Sequence, residues 1–200
     1  MNQKTKRGLF ITLLLVLYAV ATTVFSYLET SSLVSTFTGE MAKNADFTKQ
    51  SVLFMTPLMS IFTFFVGTLI YQLLVSLFTY KFDVEIDKKD IRYSLYWSML
   101  VPTVFSVICV VLVKLKLIDF VAWMGLSANA TGFNVKSFLQ YSLPAGLPLA
   151  VLQSFFAYWI LGRIAAANKG KKVLLSFIFP GLIFWAVGVL LQFVPLLFAK

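Results

Sequence analysis

Few residues in this chain could carry reaction chemistry. It has no histidine, which removes the commonest general base and the commonest metal ligand together. Its single cysteine, Cys109, lies inside an apolar run, so no intrachain disulfide can form and a thiolate metal site lacks a second sulfur. The densest group of acids is in residues 81–92, KFDVEIDKKDIR, which holds Asp83, Glu85, Asp87 and Asp90 together with four basic residues. Acids at this spacing suggest a calcium loop, but the glycine and the closing glutamate of an EF-hand are missing. No nucleophile stands beside a base there either. The sequence therefore assigns no catalytic, cofactor-binding or metal-binding residue, and the chain is expected not to be an enzyme. Within the stretch, residues 82–87 alternate apolar and acidic, which predicts an extended strip with one wet face. It reads as a solvated connector or, more sharply, as a partner-docking loop built on Asp83, Glu85, Asp87 and Asp90.

The second set of candidates lies in apolar surroundings. Gln72, Gln153 and Gln192 are placed either to line a hydrophilic cavity or to hydrogen-bond between helices. They belong to stripes of small and weakly polar residues. Tyr18, Thr22 and Ser26 recur at four-residue spacing. Thr56, Ser60, Thr68, Gln72 and Ser76 form one i+4 series interrupted by Phe64. Ser98, Pro102 and Ser106 form another. Gly146, Ala150, Gln153, Ser154, Ala157 and Gly162 follow, then Gly181, Gly188 and Gln192. Residues at these spacings share a helix face. Inside lipid, helices associate through close contact of small residues and through interhelical hydrogen bonds, so Gly146, Gly181 and Gly188 join the glutamines as the candidate packing face.

The elements that must position these residues are membrane spans. Of the 200 residues, 60% are hydrophobic and 12% charged, about half the charge of an ordinary soluble domain. The charges bracket five uncharged runs, 8–28, 51–80, 93–113, 137–162 and 173–199. Each reaches the roughly 20 residues needed to cross a bilayer core. The expected fold is an all-α integral membrane protein, a five-span transmembrane helix bundle forming a single membrane domain over residues 1–200. Its spans are expected near 8–28, 53–80, 93–113, 139–162 and 173–197. An Ala19-Val20-Ala21 triplet leaves a cleavable signal peptide as an alternative for the first, but the apolar run continues through Tyr27 and favours an uncleaved span.

The net charge of +9 follows topology rather than nucleic acid. Eleven Lys and Arg fall in the N-terminal tail and the second and fourth loops, against six on the other side. The positive-inside rule then places the N-terminus in the cytoplasm and the C-terminus outside. Residues 117–126, too short to span and anchored by Trp123, are a candidate interfacial helix or re-entrant segment. Asn129–Thr131 matches a glycosylation sequon, a weak signal. Tyr80, Tyr93, Tyr96, Trp97, Tyr158 and Trp159 are expected to form an aromatic belt at the cytoplasmic surface. Pro102 and Pro180 lie deep in their runs and are the candidate kinks.

The segments YSLYWSMLVP at 93–102, WILGRIAAANKGKK at 159–172 and VLLSFIFP at 173–180 set out an aromatic-then-proline opening of the third span and a basic glycine-lysine turn before the fifth. In these features the chain resembles the Yip (Ypt-interacting protein) domain family, bacterial-type members included, over about residues 56–194. The resemblance implies five spans, a cytoplasmic N-terminus and a non-enzymatic role through association with other membrane proteins. With the compact loops, it suggests the bacterial inner (cytoplasmic) membrane.

The sequence reading is thus a non-catalytic, Yip-like scaffold or adaptor acting through helix–helix and loop contacts. Its expected partners are the lipid bilayer and a second copy or another membrane protein. No cofactor and no nucleic acid are expected. The alternative is a small-molecule or lipid transporter or permease subunit, in which the glutamine stripes face water. Missing intramembrane charge argues against a proton-driven pump or cation channel.

Overall fold

A backbone in lipid must satisfy its own polar groups, and over long apolar runs an α-helix does so within one segment. The computed structural model describes residues 3–34, 44–117, 143–165 and 170–198, and among these there is no strand. The helices are α1 (Gln3–Val34), α2 (Ala45–Phe62), α3 (Thr68–Lys81), α4 (Lys88–Ser98), α5 (Leu100–Lys114), α6 (Leu143–Ile164) and α7 (Lys171–Phe198). Among the described residues, five helical stretches are long and apolar enough to cross a membrane: Arg7–Ser32, Ala45–Lys81, Lys88–Lys114, Gly146–Ile164 and Lys171–Leu190. The chain is an all-α, multi-pass membrane protein, as its hydropathy requires. Residues 118–126 of the candidate interfacial helix, the sequon and the side chain of Gln192 lie outside the described residues.

Two spans are not simple α-helices. Between α2 and α3 the backbone passes through a π-helical turn, Thr63–Gly67. A π turn closes on i+5 and takes in one more residue than an α turn. Four residues then no longer overshoot, so Phe64, Thr68 and Gln72 stay on one buried face. Phe64 therefore does not interrupt the polar series: it is fully buried and is part of the packed face. The other irregularity falls at Met99, a turn between α4 and α5. Pro102 explains it, since proline has no N–H for the Ser98 carbonyl and its ring crowds that oxygen. Pro180 behaves differently. Helix α7 runs through it unbroken.

The sequence reads as one domain, yet the contacts divide it into two compact units. The first comprises Met1–Leu14, Phe62–Pro102 and Gly146–Lys200, the second Leu15–Ile61 and Thr103–Ala145. In the first, α3 packs against α7 and α4. Its core gathers Tyr71 and Val75 of α3, Ile91 and Leu95 of α4, Ala157 and Leu161 of α6, and Val173 and Phe177 of α7. In the second, the Thr22 and Ser60 hydroxyls meet at 2.7 Å, joining α1 to α2.

Candidate functional site

The first unit holds a polar centre built from three spans. The Tyr71 hydroxyl lies 2.6 Å from Ser154 Oγ and donates to the Phe177 carbonyl at 3.0 Å. Ser154 Oγ also reaches the Ala150 carbonyl at 2.7 Å. Two hydroxyl protons thus serve three oxygen–oxygen contacts, with Ser154 turning between Tyr71 and its own helix. Gly181 makes room for this. A Cβ there would overlap Ser154 Oγ and stand 2.8 Å from the Tyr71 hydroxyl.

The candidate packing residues do not behave alike. A Cβ at Gly146 would stand 3.0 Å from Trp185 Nε1, so this glycine lets the indole of α7 approach α6 closely. At Gly188, a candidate on the same face, a Cβ would meet nothing described within 4 Å. The spacing places Gly188 seven residues beyond Gly181, but sharing a face does not supply a neighbour at that height.

The glutamines take separate partners. Buried Gln72 accepts from Arg92 Nε through Oε1 at 2.7 Å, and Gln153 donates through Nε2 to Met99 Sδ at 3.5 Å. Met99 is the residue at which the third span breaks. The aromatic belt is also divided. Tyr80 is 86% exposed and Trp159 exposed, as a belt requires. Tyr93, Tyr96 and Trp97 instead face neighbouring helices. Arg7 lies 5.0 Å over the Tyr93 ring, Tyr96 stacks on Phe64 at 5.4 Å, and Trp97 stacks on Phe10 at 3.9 Å. Three aromatics from one helical turn and a half thereby hold α1 and the π turn against α4.

The acidic connector is ordered by its own sequence. Asp83 takes a left-handed conformation (φ 56°), the Asp83 N–H bonds Tyr80 O at 3.1 Å and the Val84 N–H bonds Thr79 O at 2.9 Å. This pair of bonds is a Schellman closure of α3, with aspartate where glycine is usual. Asp87 then caps α4, its carboxylate accepting the Lys89 N–H at 2.8 Å. Asp90 stands in the first turn of α4, where the helix dipole favours negative charge. Between the caps the expected alternation holds. Asp83, Glu85 and Asp87 are exposed, whereas Val84 and Ile86 pack on the core. An open depression of about 370 Å³ adjoins this connector. Among the described residues, no group of His, Cys, Asp and Glu is placed to hold a metal ion.

Tyr71 and Arg92 carry these sites, and neither was singled out by the sequence reading. Tyr71 was detectable in principle, because it shares a helix face with Thr68 and Val75. The reach of Arg92 to Gln72, twenty residues away, leaves no local trace.

Fold and site together define a polytopic all-α membrane protein with a hydrogen-bonded core and an ordered acidic connector. No family model, no curated protein and no solved structure matches this chain.

Proposed function

We propose that this protein is a non-catalytic membrane scaffold or adaptor of Yip-like type, acting through helix contacts and the α3–α4 connector. The observation that carries this reading is the build of the connector. Two caps fix its backbone, Val84 and Ile86 anchor it, and Asp83, Glu85 and Asp87 remain presented to water. Ordering a loop before it binds lowers the entropy cost of docking. The excess of Lys and Arg in the N-terminal tail and the second and fourth loops supports a cytoplasmic side for this connector and an outside C-terminus; the membrane in this reading is the bacterial inner membrane.

Purification of the full chain in mild detergent, with crosslinking beforehand, should recover a stable protein partner or a homo-oligomer. Asp83→Asn keeps a residue that tolerates the left-handed conformation and should reduce that recovery. A lone monomer under all conditions, or recovery indifferent to Asp83→Asn, Glu85→Gln and Asp87→Asn together, overturns the adaptor reading. For orientation, Lys43→Cys and Lys169→Cys should label from opposite sides of sealed vesicles. Labelling of both from one side overturns the arrangement.

One observation favours the alternative of a transporter or permease subunit. The π turn and the Met99 break are linked by the Phe64–Tyr96 stack, and interrupted helices build substrate sites in some transporters. On that reading, cysteines at Thr68 and Ser98 would react with a membrane-impermeant thiol reagent; protection of both argues for a dry, packed centre.

A further inference from the structure

The depression beside the connector has a lining of mixed character. Glu85 and Asp87 bring carboxylates, Lys88 an ammonium, and Val84 and Ile91 apolar surface, with Tyr80 alongside. Its place in the chain is a membrane surface, because one span ends at Lys81 and the next opens at Lys88. Below Tyr80, helix α3 exposes Leu77, Leu73 and Ile70 at 61%, 69% and 46%. These residues share one face with Tyr80. A polar hollow carrying both charge signs therefore continues into a bare hydrocarbon stripe.

An occupant that fits both parts has a cationic group, an anionic group and an acyl chain. A purely anionic lipid fails, because two carboxylates repel its phosphate. A choline headgroup has the right charges, but its trimethylammonium has no N–H to donate, and one exposed tyrosine is not the aromatic cage that such a cation seeks. A primary ammonium has three N–H donors for carboxylate oxygens. Asp87 can cap α4 and still accept, since a carboxylate offers several lone-pair sites. We propose that this depression binds the headgroup of a phosphatidylethanolamine-type lipid. Its ammonium lies toward Glu85 and Asp87, its phosphate toward Lys88, and its chain along Leu77, Leu73 and Ile70. The inference rests on the membrane-spanning fold and not on the adaptor reading.

The test is native mass spectrometry of the full chain from micelles. These carry equal amounts of phosphatidylethanolamine, phosphatidylcholine and phosphatidylglycerol with identical acyl chains. One bound phosphatidylethanolamine should exceed either competitor by about tenfold, the size of a charge-assisted hydrogen bond. Glu85→Gln should bring it down to the phosphatidylcholine level. Lys88→Gln should weaken both zwitterionic lipids. Both positions are exposed, so melting temperature should not move. Asp83→Asn removes a neighbouring charge that does not line the depression and should leave retention unchanged. Equal retention of the three lipids, a phosphatidylglycerol preference, or a preference that survives Glu85→Gln overturns the proposal. So does an Asp83→Asn loss matching that of Glu85→Gln, or full retention in Lys88→Gln. Displacement by soluble glycerophosphoethanolamine at matched concentration would assign the site to a free headgroup and also overturn the lipid occupant.

Discussion

The two helices of the second span, α2 and α3, are similar in apolar character but differ in packing. Along α2 only Ser60 is buried, while Phe54, Met55, Leu58 and Met59 are exposed. Along α3, Thr68, Tyr71, Gln72, Val75 and Thr79 are all buried. In water the apolar side chains would choose the buried face. In lipid they gain nothing by leaving a hydrocarbon solvent, so polar and small residues make the choice instead. Helix α3 has Tyr71 and Gln72 to satisfy and finds Ser154, the Phe177 carbonyl and Arg92. Within α2 the Ser60 hydroxyl reaches Thr22.

The strongest way to break this contrast is to fill the space that Tyr71 uses. Gly181→Leu forces a side chain into Ser154 Oγ and the Tyr71 hydroxyl, and should cost about 3 kcal/mol, the upper range for overpacking. It is read as a fall in unfolding free energy in detergent. Gly188→Leu is the control and should lose nothing measurable. Tyr71→Phe removes the hydroxyl but keeps the ring. It should cost about 1 kcal/mol, within the range of intramembrane hydrogen bonds, and a double-mutant cycle with Ser154→Ala should show coupling. Removing the Thr22–Ser60 bond between α1 and α2 with Thr22→Val should cost about 0.6 kcal/mol, the average for such bonds. Leu58→Ala, on the exposed face of α2, should stay within about 0.5 kcal/mol. If Leu58→Ala proved as damaging as Tyr71→Phe, the polar selection of the packed face would be wrong.

The Gly181 and Gly188 pair shows where sequence reading stops. Both lie in one stripe, and periodicity treats them equally. Only the heights of Tyr71 and Ser154 make the first a contact and leave the second open. The glutamines teach the same point: their polarity marks Gln72 and Gln153 as candidates, but their partners, an arginine and a methionine sulfur, come from other helices. The belt divides for a related reason, since Tyr93 and Trp97 are close to the water-facing end by sequence yet find α1 beside them. By contrast, the connector's wet and dry alternation was legible because it is local. Strand-like alternation between two caps is set by neighbours in the chain, and so are the caps themselves.

Sequence by itself determined the solvent and the spans: five uncharged runs, each long enough to cross, and basic residues gathered in alternating connectors. Those properties follow from transfer of side chains and backbone into lipid, residue by residue. Tertiary structure alone decided which polar groups meet, that Phe64 is core, that the second span takes a π turn and that Gly181 rather than Gly188 admits a neighbour. The physical reason is that hydrocarbon surroundings are indifferent to which apolar face a helix turns inward. The choice falls to a few hydrogen bonds and close approaches whose two halves lie far apart along the chain.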